Sequence, residues 1–292
     1  MKTSRLVLTL ALCAAPALYA LDYRIQIQRT AKAGQQYQVS CRFQETHRMS
    51  ATFAGRVSPE QRTNYVAELE GLVKVLETDS SGQVTKASCT ISNCFRVEDK
   101  IKRELLPLQS IVMASSDGKR PQLLVKGKPV DLETQKILAA AMQLKPVGPA
   151  PEDMMATDKP KKIGESWDVN PEPLIGLLKM LGLKTAESDI QGRATLENLV
   201  KVGDDDCLEI ASKVYLKKLT PPLPPGVQVK QAFGAFRSAF KLPLDTTLAA
   251  LEENTEMDFS SVAEVKSGAN PTPFTTRTAR SVKITVLRKY LR

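Results

Sequence analysis

The chain is poor in the residues that most active sites are built around. Its 292 residues include one histidine, His47, and one tryptophan, Trp167, and aromatic residues make up only 5%. With a single imidazole, any Ser-His-Asp or Cys-His mechanism has to pass through His47, and no nucleophile elbow lies near it. Glycine-rich phosphate loops, a zinc-protease helix and a dinucleotide fingerprint are also missing. An aspartic hydrolase is harder to dismiss, because it needs only two acids held close. Asp79-Ser-Ser-Gly82 and Asp245-Thr-Thr247 approach the loops of such peptidases. The first has one residue too many and the second lacks the glycine, so both read as turns. Paired-acid glycosidase chemistry has few aromatics on which to stack a sugar. The expectation is a non-enzyme with no catalytic residue and no cofactor.

Long apolar runs are absent after the first twenty residues. Lys2 and Arg5 precede an apolar stretch from Leu6 to Tyr19, and Leu18-Tyr19-Ala20 supplies a small residue for cleavage, with Ala15-Pro16-Ala17 as a second site. A membrane helix needs ~20 apolar residues, so residues 1–20 read as a secretory signal peptide. Cys13 follows Leu12, where a lipoprotein signal requires a small residue. The expected location is therefore periplasmic or secreted, with association to the envelope. The formal charge is +9, with basic residues dispersed among Lys100, Lys102, Arg103, Lys159, Lys161, Lys162 and the C-terminal segment. Dispersed charge of this kind reads first as solvated strand faces; an anionic envelope or glycan partner is the functional reading, and nucleic acid is not expected.

Cysteine is scarce as well. Cys41, Cys89, Cys94 and Cys207 remain after the signal segment. An even number in an oxidising compartment predicts disulfides, with three possible connectivities. Cys89-Thr-Ile-Ser-Asn-Cys94 is short enough to close across a tight loop, which favours that pair and leaves Cys41 with Cys207. A Cys-x4-Cys spacing without a second knuckle is a poor zinc site, so no metal is expected.

What the chain does have is alternation. Tyr23 to Thr30, Gln36 to His47 and Gln83 to Ile91 place apolar residues at every second position. Tyr65 to Leu76 fits a helix or a strand; the acidic turn Glu77-Thr-Asp-Ser-Ser-Gly82 that follows it favours a strand within a hairpin. Val97 to Leu106 reads as a short helix. Asp131 caps a clearer one, Leu132 to Leu144. The Pro/Gly-rich stretch Lys145 to Glu152 interrupts regular structure. The chain thus divides into residues 1–20, a β-rich half 21–145, a linker 146–160 and a second β-rich half 161–292. Gly164-Glu-Ser-Trp-Asp-Val169 echoes Gly34-Gln-Gln-Tyr-Gln-Val39, and Leu199 to Val202 repeats the Leu-Val-Lys-Val of Leu72 to Val75. Each Leu-Val-Lys-Val precedes an acidic turn and a further strand, so one plan reads twice.

Two apolar segments interrupt the second half. Asn170 and Pro171 open a helix in which Leu174, Leu177, Leu178 and Leu181 recur. Beyond the stiff spacer Pro221 to Pro225, Phe233, Phe236 and Phe240 recur at i, i+3 and i+7. Both read as packing elements or as the lining of an apolar cavity, and these seven residues are the candidate ligand-binding set.

The succession of Leu-Val-Lys-Val, a glycine-ended acidic turn, Leu124-Val-Lys-Gly-Lys-Pro129 and Asp158-Lys-Pro-Lys-Lys-Ile-Gly-Glu-Ser-Trp167 resembles a broad group of exported bacterial β-proteins. The pattern is also similar in architecture to the lipoprotein-carrier (LolA- and LppX-like) fold. That resemblance implies a curved antiparallel sheet closed by helices, and a lipid or other apolar ligand. The expected class is mainly β with α, two similar halves each with short covering helices. A structural or adhesive surface protein binding acidic glycans is the second functional reading, and an acid-residue hydrolase is the third.

Overall fold

The computed structural model describes residues 21–291, apart from 119, 120, 149, 181, 223–225, 268 and 269. The first twenty residues, and with them the expected signal peptide, lie outside the described residues. In chain order the strands are β1 Gln36–Phe53, β2 Arg56–Val57, β3 Gln61–Thr78, β4 Val84–Glu98, β5 Ile101–Glu104, β6 Ile111–Ser115, β7 Gln122–Val125 and β8 Lys128–Pro129. They continue with β9 Ser166–Asp168, β10 Ile190–Val202, β11 Asp205–Leu216, β12 Val227–Pro243, β13 Glu252–Ser267 and β14 Asn270–Tyr290. There are two helices, α1 (Leu132–Met142) and α2 (Glu172–Met180), with a 3₁₀ turn at Pro151–Met155 between them and another at Glu187–Asp189 after α2.

All fourteen strands belong to one antiparallel sheet in the order β8-β7-β6-β4-β3-β1-β14-β13-β12-β11-β10-β9, with β2 beside β1 and β5 beside β4. The meander therefore joins its beginning to its end. β1 and β14 are zipped from Tyr37↔Tyr290 to Thr52↔Thr275, and the sheet opens between β8 and β9. Those two edges are only two and three residues long, which leaves little unpaired backbone for another chain to join. A mainly β, antiparallel architecture was legible from the alternation, as was the strand reading of Tyr65 to Leu76.

Register shows that one face of the sheet is mostly apolar. Residues directly opposite in an antiparallel pair point to the same side. The row Phe236↔Met257, Met257↔Val282, Val282↔Glu45, Glu45↔Tyr65 crosses five strands, and both helices pack on this side. One core gathers Tyr37, Cys41, Leu69, Val73, Ile91 and Val112 under Ile137, Leu138, Ala141 and Met142 of α1. The other gathers Trp167, Leu196, Ile210, Val214 and Phe236 under Leu174 and Leu178 of α2. Met257 touches both.

Several local expectations need correction. Tyr23 to Thr30 makes an isolated bridge, Tyr23↔Lys161, and no ladder. Its alternation serves a different purpose: the segment lies across the apolar face, with Tyr23, Ile25 and Ile27 on the second core and Ala31 on the first. Ala31 N–H donates to the Gly82 carbonyl at 2.9 Å, and a Cβ on Gly82 would meet Thr30 at 2.8 Å. Val97 to Leu106 is a hairpin, because Asp99 and Lys100 both take positive φ (49° and 68°) and turn β4 into β5. The helix expected to reach Leu144 stops at Met142, where Gln143 turns left-handed. Asp131 caps its start, accepting from the N–H groups of Glu133 and Thr134. Within the expected linker 146–160, Met154 and Met155 are fully buried, so this stretch is anchored in the core.

Candidate functional site

Four of the seven apolar residues expected to line a cavity are packed in the core. Leu174 and Leu178 have no exposed surface, Phe236 has 1% and Phe240 8%, so no water-sized space abuts the first two. Asn170 accepts from Glu172 N–H at 3.0 Å, starting α2 as its cap spacing predicts. Leu177 is half-buried against the same core, and Leu181 lies outside the described residues. The three phenylalanines sit on strand β12, where the period is two. Phe236 and Phe240 therefore face the core while Phe233, an odd number of residues away, is exposed at 44% on the other side. Their i, i+3, i+7 spacing was coincidental.

The disulfide expectation is overturned. Cys41, Cys89, Cys94 and Cys207 are all free and buried. Cys89 and Cys94 lie in one strand, β4, whose ~3.3 Å rise per residue carries them apart where a loop would have brought them together. Cys41 on β1 and Cys207 on β11 are separated by β14, β13 and β12. Burial raises the thiols of Cys41, Cys89 and Cys94 to about 12, so they serve as core residues. Among the described residues no cluster of metal-ligating side chains occurs. The two acid turns cap hairpins. Asp79 accepts from Ser81 and Gln83 N–H, and Asp245 from Thr247 N–H at 2.9 Å. Lys145 first, then Ser81 and Gln83, hold the Asp79 carboxyl below the ordinary range.

Between the two cores lies a buried polar latch. Arg288 of β14, 5% exposed, pairs with Glu253 of β13 at 2.9 Å. Its guanidinium also donates to the Ala250 carbonyl at 3.0 Å and to the Ala140 carbonyl in α1 at 3.1 Å. Glu152, in the 3₁₀ turn, joins this environment. Burial, with the Glu253 and Asp153 carboxylates adding and Arg288 opposing, raises its carboxyl to about 7 from an ordinary 4.5. Because the folded value is the higher one, the folded chain binds more protons between those values, and stability falls as pH rises through that window. Glu152→Gln is accordingly expected to flatten this slope and to raise stability near pH 8 by up to about 3 kcal/mol. Urea unfolding of both proteins at about pH 5 and about pH 8 checks this; equal slopes refute it.

The opposite, helix-free face is laced with ion pairs: Arg42–Glu68, Lys86–Glu77 at 3.1 Å, Lys241–Glu252 at 2.6 Å and Arg237–Asp258 at 2.7 Å. One region breaks that pattern. Opposite Glu70 and Gly71 of β3, the register of β4 slips from Asn93 to Ile91, leaving Ser92 as an extra residue. Such a bulge bends and twists its strand. A Cβ on Gly71 would meet the Thr90 carbonyl oxygen at 2.7 Å and Cys89 Sγ at 2.9 Å, so only glycine permits this approach of β3 to β4. Here an open groove of about 460 Å³ crosses β4, β3, β1 and β14. Leu72, Leu287 and Leu291 give it apolar surface, Gln38, Ser40 and Ser92 hydroxyl or amide groups, and Glu70 and Lys289 opposite charges. Leu287 and Leu291 are 45% and 46% exposed, and neither Glu70 nor Lys289 has an ion-pair partner among the described residues.

No family model and no curated protein matches the chain. A lipovitellin structure described by its lipid–protein interactions aligns with TM-score 0.31 and 7% identity, covering 86% of this chain and 25% of its own. OprG, an outer membrane protein of Pseudomonas aeruginosa, aligns at TM-score 0.18 and 7% identity, covering 90% of this chain and 99% of its own. Pseudomonas aeruginosa OpdQ aligns at 0.22 and 9%, covering 88% and 98%. These scores are too low to assign a fold.

Proposed function

We propose that the protein is an exported, non-catalytic, envelope-associated binding protein that holds an amphipathic, acyl-bearing ligand in the groove over Leu72, Leu287 and Leu291. The observation that carries this reading is the meeting of exposed leucines with Glu70 and Lys289, which have no ion-pair partner among the described residues, in one concavity. A volume of about 460 Å³ falls within the range of small-molecule sites, which join an apolar lining to a few placed polar groups. The leucines would take the apolar body, Lys289 an anionic head, and Gln38, Ser40 and Ser92 its hydroxyl or ester oxygens. The ion pairs elsewhere on this face support a water-facing exterior, the inverse of the apolar outer band of a membrane barrel. The same reading includes duplication of one plan, supported by the placement of both Leu-Val-Lys-Val segments on strands entering a hairpin, β3 into β4 and β10 into β11.

Titration of a fluorescent fatty acid into the purified protein tests the site. Leu287→Asp with Leu291→Asp changes two exposed side chains and is expected to weaken binding by about 10- to 100-fold, corresponding to the lost burial of one to two leucines. Leu178→Ala is expected to leave the affinity of the folded fraction unchanged. Absence of binding by the unaltered protein, or identical affinity in the aspartate variant, would sink the proposal.

A further inference from the structure

The long strands run past the helix-covered core, and the β1–β3 hairpin ends in a surface unlike the rest of the molecule. Ala54 and Gly55 both take positive φ (47° and 78°), the geometry of a two-residue turn matched to strand twist. β2 then returns along β1 with Thr52↔Val57 and Phe53↔Arg56. Ser58 fastens this end, its N–H donating to the Ala51 carbonyl at 2.7 Å and its Oγ accepting from Ala51 N–H at 2.9 Å. The turn is thus rigid, and yet it holds apolar groups in water: Val57 is 69% exposed, Phe53 45% and Met49 38%.

Arginines surround these side chains. Arg48 stands directly opposite Arg62 across β1 and β3, and Arg277 of β14 lies opposite Ser50, one step along the same face. Arg56 shares the other face with Phe53. All four are exposed, and none has an ion-pair partner among the described residues, in contrast to Arg42 farther down β1, which pairs with Glu68. Glu60 is the one acid between positions 46 and 63. Like charges facing each other across a ladder are unfavourable for the fold itself, so this cluster is better matched to an external anion than to internal packing.

We infer that the β1–β3 hairpin end is a docking surface for an anionic lipid bilayer. A soluble polyanion would require only the arginines. The apolar side chains at the same hairpin end, Val57 on the face of the three arginines and Phe53 beside Arg56 on the other, match the headgroup boundary, where apolar groups enter while basic groups meet phosphates. The surface is separate from the groove and would bring the binding protein to a membrane; no described helix is long and apolar enough to cross one.

Co-sedimentation of the mature protein with phosphatidylglycerol-containing vesicles, against pure phosphatidylcholine vesicles and soluble heparin, tests this inference. Binding to the anionic vesicles is expected and should weaken as salt rises. Combined Arg48→Gln, Arg62→Gln and Arg277→Gln should reduce it on the order of a hundredfold. Phe53→Ser with Val57→Ser should weaken vesicle binding while sparing heparin binding. Leu287→Asp should leave vesicle binding intact, which separates failure of this inference from failure of the groove. It is overturned if the unaltered protein ignores anionic vesicles at low salt. It is equally overturned if the Phe53/Val57 variant binds vesicles normally, since the patch would then be a polyanion or glycan site.

Discussion

Replacing Arg288 by methionine is expected to lower the unfolding free energy by about 3–5 kcal/mol, the usual cost of breaking one partner out of a buried ion pair. The loss would come mainly from what is left behind. Glu253 would lose its 2.9 Å partner, and the carbonyls of Ala250 and Ala140 would lose donors in a region from which water is largely excluded. Because Arg288 reaches from β14 to α1 and to the turn before β13, the cooperativity of unfolding should also suffer. Removing both charges is a milder change. Arg288→Met combined with Glu253→Gln is expected to recover a substantial part of the loss, since a neutral pair avoids an orphaned buried charge. Urea denaturation of the two single variants and the double variant measures the coupling directly. Simple additivity would show that the latch is not a unit.

Leu178→Ala is expected to cost about 2–5 kcal/mol, the range for truncating a fully buried leucine whose surroundings cannot collapse. Leu178 has no exposed surface and packs with Leu174, Trp167 and the β10–β12 side chains. The same substitution distinguishes core from ligand lining. A lining residue would lose ligand affinity with little change in stability, whereas a core residue loses stability with unchanged affinity in the folded fraction. Trp167, whose Nε1 donates to the Met155 carbonyl at 3.0 Å, lies in the same cluster and reports its opening by fluorescence.

Much of the fold was written in the alternation of the chain, because a strand with one buried face imprints its period of two on the residues themselves. Gln36 to His47 and Gln83 to Ile91 became parts of β1 and β4 for that reason. Local chemistry was equally legible at Asp131, at Asn170 and in the Asp79 turn, where a side chain satisfies backbone groups a few positions away. The errors arose where pattern and purpose separate. Tyr23 to Ile27 alternates without joining a ladder, since a segment lying across an apolar face has the same need to bury one side. The phenylalanines of β12 fit a helical spacing, and nothing local marked them as residues on both faces of a strand. The cysteines suggested a compartment rule, but it is the shared strand β4 and the three strands between β1 and β11 that decide whether thiols can meet.

The groove was beyond the reach of sequence reading. Its residues come from positions 38–40, 70–72, 92 and 287–291, and they converge only because β1 pairs with β14 and β4 carries an extra residue at Ser92. One clue was present. Leu287 falls on the polar side of the alternation of β14, and an apolar residue out of phase on an otherwise charged face is a local sign of contact with something outside the chain.

The most direct examination of the binding claim is mass spectrometry of small molecules extracted from the protein after purification from its native host. Occupation of the groove predicts an acyl-bearing amphipath in near-stoichiometric amount, lost from the Leu287→Asp, Leu291→Asp variant purified in parallel. An empty extract from protein that also fails to take up added lipid, or an amphipath retained equally by the variant, would contradict it.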